Sequence, residues 1–92
     1  MIVRIANEGQ FRLPDDHAAR LNELDNAAVA AAEAKDEAKF NELWQQMLSL
    51  VEDDGDEVPD DELVASDVIL PPRDISFVEA CAEFTGDGLI PD

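Results

Sequence analysis

Ninety-two residues are enough for one domain spanning residues 1–92 with a modest core. The 23 Asp and Glu outweigh six Lys and Arg, for a formal charge of −17. A surface this acidic is repelled by phosphate backbones and anionic headgroups, which argues against direct nucleic-acid or membrane contact and favours a basic protein partner.

Residues 1–13 predict a β-hairpin. Met1, Val3 and Ile5 share one face of an alternating strand, Phe11 and Leu13 one face of the next. Asn7-Glu8-Gly9 is the expected connection, with Gly9 supplying the left-handed residue. Arg4 and Arg12 then face outward. A lone two-stranded ribbon is marginal in water, so the hairpin must pack on helices and gain a further strand. Its free edge either pairs across a two-fold axis, giving a homodimer, or is covered from within.

Pro14 closes the second strand, and Asp15 or Asp16 is the expected helix cap. From Asp15 to Asp54 the apolar residues recur at helical spacing: Leu21, Leu24, Ala28 and Ala31, then Phe40, Leu43, Trp44, Met47, Leu50 and Val51. Ala34-Lys35-Asp36-Glu37 interrupts the pattern, with Asp36 placed to cap the second half, so the stretch predicts an antiparallel helical hairpin. The run from Ala27 to Ala32 favours helix and lets the two helices approach closely. His17, without a second ligand one turn away, is expected to be structural, and Trp44 is expected to pack in the core or mark a contact surface.

The charge is unevenly spread: residues 1–51 hold nine acids and five bases, residues 52–92 fourteen acids and Arg73 alone. Gly55 fits the end of the second helix within an acidic loop. A calcium loop centred on Gly55 would put Leu50 at the first ligand position, which excludes it. Residues 58–64 predict a loop with one helical turn capped by Asp60. Val68-Ile69-Leu70, stopped by Pro71-Pro72, predicts a short edge strand. Ser76 and Glu79 have capping-box spacing, and Phe77, Val78, Cys81 and Phe84 would give a C-terminal helix its buried side. Gly86-Asp87-Gly88 would end that helix, and Leu89-Ile90-Pro91 would form an apolar clip. The architecture is therefore α+β: an N-terminal β-hairpin on an antiparallel helical hairpin, with a short third strand and a C-terminal helix.

No enzyme signature accompanies these elements. The four glycines form no phosphate-binding loop, the single Cys81 reads as a small core residue, and carboxylate pairs are expected by chance among 23 acids. No catalytic, metal or cofactor site is predicted. The opening of the chain lacks a signal-peptide pattern and no run reaches membrane-spanning length, so a cytoplasmic protein is expected.

Three fragments carry a more specific signal. Met1-Ile2-Val3-Arg4-Ile5 through Glu8-Gly9-Gln10-Phe11-Arg12-Leu13, then Pro59-Asp60-Asp61-Glu62-Leu63 with Ser66-Asp67 and Leu70-Pro71-Pro72, then Gly88-Leu89-Ile90-Pro91, together resemble PspAA, the phage-shock protein A-associated module. The family's helix–helix connection often carries glycine where this chain has Lys35. The resemblance implies a small non-enzymatic adaptor or regulator of PspA, a coiled-coil scaffold of the envelope stress response, recruited to the inner face of the cell membrane only through that partner. On this reading the acidic segment 52–67 steers the approach, with Asp60, Asp61, Glu62 and Asp67 meeting the partner and Val64, Val68 or Trp44 anchoring it. The alternative is a nucleic-acid mimic whose carboxylates fill the basic groove of a DNA-binding protein. A third reading is metal buffering by the acids, and the bland one gives the charge only a solubilising role, in a cytoplasm salty enough to screen self-repulsion.

Overall fold

The computed structural model describes residues 1–59, 61–62 and 64–84. Its seven elements are, in order, β1 (Ile2–Ile5), β2 (Gly9–Arg12), α1 (Asp15–Glu33), α2 (Glu37–Asp54), β3 (Asp56–Val58), β4 (Val68–Leu70) and α3 (Phe77–Glu83). The α+β architecture expected from the sequence is present. The sheet has the order β3-β2-β1-β4, with β1–β2 and β2–β3 antiparallel and β1–β4 parallel.

The hairpin register pairs Val3 with Phe11 and Ile5 with Gly9, so the predicted apolar face forms as one surface. The connection is Ala6-Asn7-Glu8, one residue earlier than expected, closed by Glu8 N–H donating to the Ile5 carbonyl at 3.0 Å. Asn7 takes the left-handed conformation at φ 70°. Asparagine tolerates this because its short polar side chain bonds locally. Val68–Leu70 covers one hairpin edge as β4, and β3 covers the other. Pairing of two copies through a hairpin edge therefore has no free edge to use among the described residues.

β3 is a strand that sequence patterning does not reveal. Asp56-Glu57-Val58 has low intrinsic strand propensity, and only pairing with β2 holds it extended. Gly55 ends α2 as expected, in an extended conformation (φ −93°, ψ 154°). Its requirement is steric: an added Cβ would meet the Val51 carbonyl at 2.5 Å and Phe11 Cβ at 3.3 Å. The chain can turn from α2 directly into β3 only because nothing projects there.

α1 starts at Pro14, not at an acid: Pro14 occupies the N-cap with no side-chain cap bond, and Asp15 and Asp16 lie in the first turn, where they suit the helix dipole. The helix ends as a Schellman turn. Asp36 N–H reaches the Ala31 carbonyl at 2.9 Å, and Lys35 N–H reaches that of Ala32 at 3.1 Å. Lys35 sits at φ 60°, a conformation that glycine adopts without penalty. Asp36 caps α2 as expected, its carboxylate accepting from Lys39 N–H at 3.2 Å.

The core lies between the helical pair and one sheet face, joining Val3, Ile5, Leu13, Val68 and Leu70 to Leu21, Ala28, Phe40, Met47 and Val51. Leu48 is fully buried, whereas Leu50, expected inside, is only half-buried. α3 closes the end of the core. Phe40 meets Phe77 and Phe84 edge to face, at centroid distances of 5.7 and 5.0 Å. The buried side of α3 is Phe77, Ala80, Cys81 and Phe84; Val78, expected there, is 80% exposed because it falls about a third of a turn away. Ser76 and Glu79 make the predicted cap, Ser76 Oγ accepting from Glu79 N–H at 3.2 Å. The alanine run lets α3 approach as well as α2, and Cys81 Sγ donates to the Ala32 carbonyl at 3.8 Å. The terminal turn and clip expected over residues 85–92 lie outside the described residues.

Candidate functional site

The sheet has two unlike faces. Val3, Ile5 and Leu13 point at the helices, while Arg4, Gln10 and Arg12 point away. To connect β3 with β4, on opposite edges, the chain must cross two strands. It does so over the outward face, and outward side chains hold it there. Gln10 Nε2 donates to the Val64 carbonyl at 3.3 Å and to Ser66 Oγ at 2.7 Å. Arg12 Nη2 donates to Glu62 Oε1 at 3.0 Å. Asp67 Oδ2 accepts from Ile2 N–H at 2.7 Å while Asp67 N–H donates to the Ile2 carbonyl at 2.8 Å, so this side chain continues the parallel ladder where the backbone leaves it. Val58 is buried although it pairs with Gln10 on the outward side.

The acidic segment is thus a strap fixed to a sheet. Asp53, Asp54, Asp56, Glu57, Asp61 and Glu62 are exposed along the end of α2, β3 and the strap. His17 Nδ1 lies 3.2 Å from Asp54 Oδ2, linking the first turn of α1 to the last turn of α2, a half-exposed structural role as expected. Arg73 gathers acids from two elements: Nε and Nη2 donate to the Glu8 carboxylate at 3.2 and 3.0 Å, and Nη2 also contacts Glu52. The one base of the acidic half is engaged in fixing the turn after β4 to the β1–β2 loop and α2.

The residues expected to meet a partner fall into two groups. Asp61, Glu62, Val64 and Asp67 share the strap; Asp61 and Glu62 are exposed, Val64 is half-buried, and the Asp67 carboxylate is taken by β1. Trp44 and Val68 face inward. Trp44 is 3% exposed, stacks edge to face on Phe84 at 5.7 Å and donates through Nε1 to the Arg73 carbonyl at 3.3 Å. Val68 packs on the core face of β4. Asp60 lies outside the described residues.

Sequence reasoning missed Gln10 and Arg12 as the anchors of the strap. Their outward position in a half-buried strand was visible, but their partners lie some fifty residues away. It also missed Asp25, which sits on the buried side of α1 and is engaged in polar contact there. Among the described residues, no group of three or more His, Cys, Asp or Glu could hold a metal ion, and no helix is long and apolar enough to cross a membrane.

The family model described as PspA-associated protein matches residues 1–92, the whole chain. No curated protein and no solved structure matches it.

Proposed function

The chain belongs to the PspA-associated protein family, and we propose from that membership that it is a non-enzymatic adaptor that docks on a PspA-type coiled-coil protein and modulates its assembly. The whole-chain family match is the observation that carries this reading. The strap supports it physically. Exposed carboxylates at the end of α2, in β3 and at residues 61–62 are held in place by the fold, so less ordering entropy is lost on docking than from a free acidic tail. A long basic helical surface would be steered to such a face, and the approach would weaken with salt. Val64, half-buried at the strap's edge, supplies an apolar contact beside the acids. Trp44 and Val68 serve from within, by holding the Arg73 turn and the β4 edge in place. The protein would be cytoplasmic and reach the membrane only through its partner.

The test is calorimetric titration of the full chain into a purified PspA-type protein at low and high salt. Combined Asp56→Lys, Glu57→Lys and Asp61→Lys substitution should weaken binding roughly tenfold or more and flatten its salt dependence. Binding indifferent to both changes would remove the acidic face from the account. Failure to bind at all, with a DNA-binding protein recovered from the native host instead, would favour the nucleic-acid mimic.

A further inference from the structure

The two edges of the sheet differ in how readily each could take up another strand. The β3 edge carries Asp56 and Glu57, both exposed, and carboxylates on an edge strand oppose the approach of another strand. The β4 edge reads Val68-Ile69-Leu70, with Ile69 62% exposed. The Leu70 carbonyl accepts from Ala6 N–H at 3.0 Å, so by the alternation of a parallel ladder the Ile69 N–H and carbonyl point away from β1, toward an edge that no strand among the described residues pairs with. Beside this edge runs a groove of about 430 Å³ lined by Ile69, Leu70, Pro72 and Ile75, and by Asp74, Glu79 and Glu83 on its acidic side. Arg73 does not neutralise these acids, because it is turned to Glu8 and Glu52.

We propose that β4 accepts an extended segment of a basic partner protein as a fifth strand, with basic residues on the α3 side and apolar residues on the other. The alternation arises from the pleat. One side of an added strand would face Asp74, Glu79 and Glu83, the other would cover Ile69. A second copy of this chain is disfavoured as the occupant, since pairing two β4 edges would bring these acids together in a dimer of chains each at −17. The inference does not depend on the adaptor reading, because β4 is the edge opposite the acidic β3 side.

The probe is a short capped peptide of alternating Lys and Val, titrated into the isotopically labelled full chain and followed by amide shifts and hydrogen exchange. The control has the same charge with every Val replaced by Pro, which cannot donate to a ladder. The expected result is a saturable shift and slowed exchange of the Ile69 amide with the Lys-Val peptide and neither with the control. Joint Glu79→Gln and Glu83→Gln substitution should weaken this binding about fivefold, as expected for two part-exposed ion pairs. Glu79→Gln can still accept from the Ser76 hydroxyl, so α3 keeps that capping contact. Equal effects of the two peptides would reduce the attraction to unspecific charge and overturn the proposal. Shifts confined to β3 and the strap would place the peptide elsewhere and do the same. Absence of any shift would overturn it outright.

Discussion

The helical layer and the acidic strap are held by different physics. Phe40, Met47, Leu48 and Val51 lock α2 through fully or almost fully buried apolar area, a force without direction that tolerates small adjustments. The strap lies where Gln10, Arg12 and Ile2 offer directed hydrogen bonds to particular atoms of residues 62–67. Burial sets how stable the domain is, while the polar anchors set where its carboxylates stand. The two layers should therefore respond differently to substitution.

The largest effect belongs to the helical layer. Phe40→Ala removes the ring that both Phe77 and Phe84 meet edge to face and should cost about 3–5 kcal/mol. For a domain of this size that is a large share of a total stability of roughly 5–10 kcal/mol, and a denaturant titration would show it as a sharply lowered midpoint. A loss under about 1 kcal/mol would mean that α3 is not part of the same core. Next is the junction of the two regions. Gly55→Ala places a methyl group against the Val51 carbonyl and Phe11, and the strain should amount to about 1–3 kcal/mol. The loss should appear in amide exchange first at β3, because the chain can relieve the clash by swinging that strand from β2.

The strap itself should give a smaller effect. Asp67→Ala leaves the Ile2 N–H without its carboxylate partner and should cost about 1 kcal/mol, the scale of one hydrogen bond at an exposed site. Its fingerprint is local: faster exchange at Ile2, with the aromatic core unmoved. Smallest, and opposite in sign, is Lys35→Gly. Relief of the left-handed lysine should stabilise the domain by somewhat under about 1 kcal/mol after glycine's greater freedom in the unfolded chain is counted. A destabilised variant would mean that Lys35 is held by contacts beyond its backbone geometry.

The same contrast explains what the sequence made legible. Helical periodicity is local, so both long helices and the Asp36 and Ser76 caps can be read from residues three or four apart. The errors are of another kind. Val78 looks like a core residue by type, and only its angle on a seven-residue helix turns it outward. β3 has no local signal, since its strand form is borrowed from β2. The strap's acids were legible as a charge run, but their fixation depends on Gln10 and Arg12 across a long span of chain. Residue type had suggested Trp44 as a contact; the Arg73 carbonyl that accepts its indole N–H could not be paired with it from sequence.

The parallel pairing of β1 with β4 has a consequence for how the chain assembles. β1 meets β2 across a three-residue turn, yet on its other flank it joins a segment 65 positions away, where Ile2 meets Asp67. Loop-closure entropy rises by about 0.6 kcal/mol for each doubling of length, so an unstructured closure of that span would carry an extra penalty of roughly 3 kcal/mol relative to the three-residue turn. The α1–α2 hairpin shortens the effective span, because folding back on itself returns the chain close to where it left the sheet. Formation of the helical hairpin thus lowers the cost of giving the inner strand β1 its second neighbour, and non-local pairing of this kind is expected to slow folding relative to a purely helical domain of the same size.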